Sequence, residues 1–288
     1  MFVVNYFIIK RIAIVFLIKI PCLSYISVKF MILKEKLEYH YRAFNKSRIS
    51  PDPLQFLHLF KDEKDIEAMG FIASVFAYGN VKQIINTLNK FVQLSGNKPY
   101  AFISDFKRGD LRSETLIHRF YSKEDISDFF VLISKAYRDY GSLRGLFLDF
   151  YNPAEINLKA AISGFSNYFI ENYKKLNGKN KISLGIKFMF PLPEKGSACK
   201  RMNVFLRWMI RKDELDFGLW KDIPANKLVI PVDTHVARIS RSLKLTKRKN
   251  VSWKMAEDIT EKLKKFDPVD PVKYDFAICH IGMRKMKF

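Results

Sequence analysis

Apolar residues recur at helical spacing along almost the whole chain from Met31 onward, and this pattern constrains the fold more than any other feature. Each stripe places apolar side chains three or four positions apart, as one face of an α-helix requires. A typical stripe contains Val81, Ile84, Ile85, Leu88 and Val92. No Asn-Gly turn joins two alternating apolar and polar runs, as a β-hairpin would require. The sequence therefore predicts an all-α fold, with breaks between helices at Gly79-Asn80 and Gly141.

Three stretches rich in polar or turn-forming residues are predicted to connect helices. They are Leu176–Lys187, Asp213–Ile230 and Phe266–Val272. The last of these is a proline turn, and the final helix is expected to begin near Asp275, which is either its cap or a second acid.

Residues 1–30 differ in composition from the rest of the chain. They contain no acid and four Lys or Arg, and their apolar run Ile12–Ile18 has only seven residues. A helix that spans a membrane needs about 20, so we expect no stable membrane insertion. The segment is a membrane-surface helix, a poorly ordered appendage, or translated upstream sequence with the true start at Met31. Residues 31–288 are expected to form the folded domain.

The chain is strongly basic, and the positive charge is clustered. It has 50 Lys and Arg against 29 Asp and Glu, which gives a net charge of +21. The segment Lys195–Lys212 contains six Lys or Arg and no acid, and Thr234–Ala256 contains seven and no acid. Such clusters favour nucleic acid as the partner, because each neutralised phosphate releases counterions. A solvated basic surface with no partner is the alternative.

The cysteine content indicates a reducing compartment. Cys22, Cys199 and Cys279 are far apart and odd in number, which argues against a disulfide framework and against a metal site built from cysteines. We therefore expect a cytoplasmic protein, with a monomer as the simplest oligomeric state.

The segment Pro231–His235, which reads Pro-Val-Asp-Thr-His, places Asp233 at the start of a predicted basic helix. Asp is a preferred N-cap residue, so Asp233 can serve as a cap. A carboxylate beside a basic surface also suits chemistry on a polyanion, where it stabilises developing positive charge. Both interpretations stand on the local pattern alone.

Two motifs together resemble the helix-hairpin-helix-GPD superfamily of DNA glycosylases, to which endonuclease III belongs. The first runs from Gly196 through Lys200 to Leu206, within a hairpin region near 193–211, and the second is Pro-Val-Asp-Thr-His in the segment 231–245. Aligned without gaps, the hairpin glycines of the family fall on Gly196 and Ala198, its catalytic lysine on Lys200 and its invariant aspartate on Asp233. From about Met31 to the C-terminus, the chain resembles a bacterial group of uncharacterised proteins allied to these enzymes.

The resemblance implies a helical protein of two lobes with a cleft between them, which acts on a damaged base rotated out of the DNA duplex. Asp233 would stabilise the sugar cation, and Lys200 would either attack the sugar or bind a phosphate. The implied DNA contacts are Gly196, Ser197, Ala198, Arg201, Arg207, Arg238, Arg241, Asn80 and His235. His235 is alternatively a second base or a residue of the helix start. No cofactor is expected, because the four-cysteine cluster of endonuclease III is absent. The competing hypothesis is a DNA-binding protein that keeps this fold without its chemistry.

Overall fold

The computed structural model describes residues 25–43, 45–111, 116, 118–178 and 181–283, and it confirms the prediction of an all-α fold. The described residues contain two isolated β-bridges and no strand. Their twelve α-helices are α1 (Tyr25–Ala43), α2 (Glu63–Phe76), α3 (Val81–Leu94), α4 (Pro99–Ser104), α5 (Lys123–Tyr140), α6 (Leu143–Asp149), α7 (Lys159–Asn177), α8 (Leu184–Met189), α9 (Lys200–Ile210), α10 (Thr234–Ser242), α11 (Trp253–Lys264) and α12 (Asp275–Met283). Five short 3-10 helices lie between them, at Lys46–Arg48, Pro53–Leu59, Pro193–Lys195, Ala225–Lys227 and Pro271–Tyr274.

The helix boundaries follow local polar signals in the sequence. Asn80 caps α3 by accepting a hydrogen bond from the Lys82 backbone N–H, so the predicted break at Gly79-Asn80 is confirmed. Helix α5 begins at a capping box formed by Ser122 and Asp125. It ends at Gly141, whose φ of 73° lies in the left-handed region that glycine adopts without steric cost.

The centre of the core is a cluster of aromatic rings around Phe71 of α2. The Phe71 ring lies 5.1 Å from that of Phe205 on α9, 5.7 Å from that of Phe165 and 5.9 Å from that of Phe169 on α7. Offset and edge-on ring contacts at these distances add to the burial of apolar area. Helix α9 is therefore fixed in the core along one side, while its first residue, Lys200, stays at the surface.

The stretch Asp213–Ile230 connects α9 to α10 as predicted, and it packs into the protein. Its backbone bonds to the end of α9, through Phe217 N–H to Trp208 O and through Trp220 N–H to Met209 O. Trp220 and Ile230 are buried, and the Trp220 ring donates a hydrogen bond to Glu67. The connection thereby fixes the position at which α10 begins.

The last described helix packs against the first. Helix α12 packs against both α10 and α1. Glu38 of α1 forms an ion pair with Lys273 and accepts a hydrogen bond from the Tyr274 hydroxyl, which attaches α1 to the rest of the fold. Helix α1 begins at Tyr25, so the predicted domain boundary at residue 31 falls within a helix, and residues 1–24 lie outside the described part. None of the described helices is both long enough and apolar enough to cross a membrane.

Candidate active site

Lys200 and Asp233, which are 33 residues apart in sequence, form an ion pair with 2.6 Å between Nζ and Oδ2. Lys200 is the first residue of α9, and Asp233 is the N-cap of α10. The Lys200 side chain is 33% exposed and that of Asp233 is 21% exposed. The pair is thus accessible from solvent while being held by two helix ends.

The two carboxylate oxygens of Asp233 have separate partners. Oδ1 accepts hydrogen bonds from the backbone N–H groups of His235 and Val236, each at 2.9 Å, and so caps α10. Oδ2 contacts Lys200. The two interpretations of Asp233 left open by the sequence are therefore compatible, because capping occupies one oxygen and leaves the other directed at the lysine.

The electrostatic environment holds both members of the pair in their charged forms. Burial by itself raises the pKa of Asp233. The charge and hydrogen bond of Lys200 and the backbone N–H of Val236 lower this pKa by more than burial raises it, so the pKa lies below the ordinary value. Burial lowers the pKa of Lys200, and the charge and hydrogen bond of Asp233 outweigh that effect, so its pKa lies above the ordinary value. At neutral pH Lys200 is an ammonium ion in this structure, and it would have to lose a proton before it could act as a nucleophile.

The turn before α9 contains two residues with left-handed backbone conformation. Gly196 has a φ of 86° and ends the 3-10 helix Pro193–Lys195, and Cys199 has a φ of 47° and immediately precedes Lys200. Ala198 is buried, and its carbonyl accepts a hydrogen bond from the Asn203 side chain. No side chain caps the N-terminus of α9. The turn therefore directs the first backbone N–H groups of α9 and the Lys200 side chain toward the same end of the helix.

Arg201 has a structural role that corrects its predicted contact with DNA. Its side chain is buried and donates hydrogen bonds to the Val75 carbonyl, to the Tyr121 hydroxyl and to the Phe188 carbonyl. The guanidinium also lies 3.9 Å from the centre of the Phe188 ring. These partners use the guanidinium donors inside the protein, so Arg201 does not reach a phosphate in this arrangement.

Arg207 requires the same correction. It is buried, with Nη1 2.5 Å from Asp275 Oδ2 and Nη2 3.3 Å from Asp216 Oδ1. Sequence alone cannot distinguish such an arginine from a surface cation, because its carboxylate partners come from segments far along the chain. Asp275 is likewise not a simple cap: it is the first residue of α12, and its carboxylate pairs with Arg207.

The other predicted contacts lie at or near the surface. His235, Arg238 and Arg241 are exposed on α10, and the Arg241 guanidinium donates a hydrogen bond to the Lys249 carbonyl. Asn80 is exposed at the start of α3. Ser197 is half-buried, and its hydroxyl accepts a hydrogen bond from the Cys199 backbone N–H, while Gly196 is exposed.

A continuous segment of exposed cations follows Asp233. Arg238, Arg241, Lys244, Lys247, Arg248, Lys249 and Lys254 are all exposed, and we call them the basic surface 238–254. Arg248 pairs with Asp258 at 2.6 Å. The backbone N–H of Trp253 donates a hydrogen bond to the Gly196 carbonyl at 3.2 Å, which attaches the end of this segment to the turn before α9. The basic surface is thus connected to the Lys200–Asp233 pair at both of its ends.

Helix α12 brings two further groups to the site that sequence analysis did not assign to it. Cys279 is half-buried and lies near Lys200, and the charge of Asp275 also acts on Lys200. Burial raises the pKa of Cys279 well above its ordinary value, and it raises that of Cys199 to about 12. Both thiols are therefore protonated at neutral pH. No local motif marks α12, because it contacts the site only through tertiary packing.

The described residues contain no group of three His, Cys, Asp or Glu that could hold a metal ion. In comparisons with known proteins, a family model with the description "protein of unknown function (DUF2400)" matches residues 52–284. No curated protein and no solved structure matches the chain. The matched region contains every residue of the candidate site.

Proposed function

The chain belongs to the DUF2400 family, and we propose that it is a DNA glycosylase that acts on a damaged base rotated out of the duplex. The observation that carries this proposal is the 2.6 Å contact between Lys200 and Asp233 beside the basic surface 238–254. In the proposed architecture, α8, the turn at residues 190–199 and α9 form a helix-hairpin-helix element, and the helices form two lobes with a cleft between them.

The proposed reaction begins with transfer of a proton from the Lys200 ammonium ion to Asp233 Oδ2, because only the neutral amine is a nucleophile. Asp233 then passes this proton to the departing base, which restores the negative charge of the carboxylate. The amine then attacks the anomeric carbon of the sugar, the bond from that carbon to the base breaks, and the base leaves with the electron pair and takes up a proton. Opening of the sugar ring gives a Schiff base between Lys200 and the sugar. Loss of a proton from the adjacent carbon then expels the 3′ phosphate and cuts the strand.

Asp233 supports this reaction electrostatically. Breaking the glycosidic bond develops positive charge on the sugar, and a fixed carboxylate beside it lowers the barrier. The pKa of Asp233 lies below its ordinary value because of Lys200 and the Val236 backbone, despite the opposing effect of burial, so the charge is present at neutral pH. Because Oδ1 is occupied by the cap, we assign this role to Oδ2.

Trapping with borohydride on a duplex that contains one abasic site tests the lyase step. Wild-type protein is expected to form a covalent adduct, and Lys200→Gln is expected to lose it. Lys195→Gln is the matched control, since Lys195 is an exposed lysine in the same turn. Asp233→Asn keeps an acceptor for the cap and removes the charge, so it is expected to bind DNA normally and to react more slowly.

Base release from a panel of duplexes that carry damaged bases tests the glycosylase step separately. Release without an adduct would assign Lys200 to phosphate binding and leave Asp233 as the catalytic group. No release and no adduct on any duplex would contradict the proposal.

A DNA-binding protein without chemistry is the second candidate, and the raised pKa of Lys200 favours it. Although burial lowers this pKa, the charge and hydrogen bond of Asp233 raise it by more, and a lysine held as an ammonium ion binds phosphate better than it attacks a sugar. This candidate predicts salt-sensitive binding to any duplex, with a slope of log affinity on log salt of about −0.9 per phosphate contact. Lys247→Gln combined with Lys249→Gln should then reduce the slope, while Asp233→Asn leaves it unchanged.

A further inference from the structure

Three aromatic side chains from separate segments, Tyr78, Phe120 and Phe188, meet at the surface and form what we call the aromatic patch. Tyr78 follows α2, Phe120 lies in the turn before α5, and Phe188 lies on α8. The Phe188 ring centre is 4.5 Å from that of Tyr78 and 4.9 Å from that of Phe120, and the Tyr78 and Phe120 rings are 5.8 Å apart. Phe120 is 39% exposed, and the other two residues are half-buried. The patch therefore presents aromatic surface to solvent.

Arg119 lies against this patch. Its guanidinium carbon is 4.4 Å from the centre of the Tyr78 ring, which is within the range of a cation–π contact. Arg119 is exposed, and it forms no hydrogen bond and no ion pair with any residue that the structure describes. An arginine stacked on a ring in this way keeps its N–H donors for an anion.

The backbone around the patch holds Arg119 in place before any ligand binds. Arg119 has a φ of 56°, a left-handed conformation that residues other than glycine rarely adopt. Gly79 lets the arginine approach closely, because a Cβ at Gly79 would lie 2.5 Å from Arg119 Nη1. The His118 ring, through Nε2, donates a hydrogen bond to the Tyr78 carbonyl at 3.1 Å. The turn that contains Arg119 and Phe120 is thus attached to the segment that contains Tyr78.

A buried cation joins the patch to the first turn of α9. The Arg201 guanidinium lies 3.9 Å from the centre of the Phe188 ring and donates hydrogen bonds to the Phe188 carbonyl and to the Tyr121 hydroxyl. Tyr121 in turn donates to the Val75 carbonyl. Because Arg201 directly follows Lys200, the patch is attached to the helix end that holds the candidate site.

The surroundings of the patch favour an anionic ligand with flat rings. Lys82, Lys123 and Lys187 are exposed and close in sequence to the three rings, and Glu124 is an exposed acid beside them. A nucleotide combines a phosphate for the cations with a base that stacks on an aromatic side chain. Bases in a duplex already stack on each other, so only unpaired nucleotides offer a free ring face.

We propose that the aromatic patch and Arg119 bind unpaired nucleotides of single-stranded DNA, with a base stacked on Phe120 and a phosphate held by Arg119. Stacking on an aromatic side chain tolerates every base, so this binding has little sequence preference. The proposal concerns a surface separate from the Lys200–Asp233 pair, and it requires no reaction at that pair.

Fluorescence anisotropy of a labelled thymidine oligonucleotide of about 20 nucleotides, and of a duplex of equal length, tests the surface in the full-length protein. Phe120→Leu keeps an apolar side chain and removes the ring, so it is expected to weaken single-strand binding about tenfold and duplex binding less than about twofold. Phe120→Trp keeps a ring and is expected to bind the single strand as tightly as wild type. Tyr39→Leu is the matched control, because Tyr39 is an aromatic residue 70% exposed on α1, outside the patch. It is expected to change neither affinity.

The salt dependence of single-strand binding tests Arg119. Arg119→Gln is expected to reduce the slope of log affinity on log salt by about 0.7, the value for one phosphate contact in a single strand. Arg119→Lys keeps the charge and should keep the slope, and Phe120→Leu should lower the affinity without changing the slope. An unchanged slope in Arg119→Gln would overturn the assignment of Arg119 to a phosphate.

Photo-crosslinking of wild-type protein to a single strand that contains 5-iodouracil needs no variant. Mass spectrometry is expected to find the crosslinks in peptides that contain Tyr78, Phe120 or Phe188. Crosslinks only in other peptides, equal losses for single strand and duplex in Phe120→Leu, or the same loss in Tyr39→Leu would overturn the proposal. Unchanged single-strand binding in Phe120→Leu would also overturn it and would leave a protein partner as the occupant of the patch.

Base release from damaged duplexes separates this inference from the proposed function. Single-strand binding that depends on Phe120, without base release or a trapped adduct, would support the patch and reject the glycosylase. Base release by a protein whose single-strand binding does not depend on Phe120 would support the glycosylase and reject the patch.

Discussion

Replacing Asp233 separates its two roles, because each carboxylate oxygen has its own partner. Oδ1 accepts two backbone hydrogen bonds at 2.9 Å, and Oδ2 contacts the Lys200 amine at 2.6 Å. Loss of an N-cap costs about 1 kcal/mol, and a partly exposed ion pair contributes up to about 1 kcal/mol. We expect Asp233→Ala to lower the free energy of unfolding by about 2 kcal/mol and Asp233→Asn, which keeps the cap acceptor, by about 1 kcal/mol.

Urea unfolding followed by circular dichroism measures these losses. Ser252→Ala is the matched control for the cap, because Ser252 caps α11 by accepting from the Met255 backbone N–H. It is expected to cost about 1 kcal/mol. A double-mutant cycle of Asp233→Asn with Lys200→Met isolates the pair. Equal losses for the Asn and Ala variants would refute the contribution of the cap, and a coupling energy of zero would refute that of the ion pair.

Three further predictions concern stability. Arg207→Leu should lower the free energy of unfolding by about 3–5 kcal/mol, because it leaves two buried carboxylates without this partner. Arg248→Leu, which removes an exposed ion pair, should lower the free energy of unfolding by less than about 1 kcal/mol. Similar losses for the Arg207 and Arg248 variants in urea unfolding would contradict the expected difference between buried and exposed pairs. Gly164→Ala should cost about 1–3 kcal/mol in calorimetry, since its Cβ would lie 2.4 Å from the Phe150 ring, and an unchanged Tm would argue against this contact. Folding raises the pKa of Lys200 above its ordinary value of 10.5. The ion pair of Lys200 therefore stabilises the fold fully at pH values below 10.5, and this stabilisation is lost as the pH rises through the pKa of Lys200 in the folded protein. The difference in unfolding free energy between wild type and Lys200→Met should therefore shrink above pH 10.5, and a constant difference would contradict the shift.

The helices were predictable because their signals are local. The apolar spacing predicted for α3 includes Ile84 and Leu88, which are buried, and Asn80 and Gly141 marked helix ends that the structure contains. The packing of the connection after α9 was not predictable. Its polar and proline residues indicate a loop, while its burial depends on partners such as Glu67, 153 residues away from Trp220.

The candidate site was predictable only in part, for the same physical reason. A capping aspartate can be recognised from the residues beside it, whereas the contact between Asp233 and Lys200 depended on a resemblance that aligned two distant motifs. The basic run Lys195–Lys212 was misleading, because Arg201, Arg207 and Arg211 face the interior. Charge in a sequence does not reveal its partner, and the carboxylates that neutralise these arginines come from other segments.

The anchoring of α9 makes the two members of the candidate pair unequal in mobility. Arg211 fixes the end of α9 through three carboxylates, and Phe205 fixes its middle in the core, whereas α10 is short and exposed along one side. Amide hydrogens of α9 should therefore exchange with solvent only when the whole protein unfolds, and those of α10 should exchange through local opening. Of the two backbone segments that hold the pair, the one that carries Lys200 is therefore the more rigid.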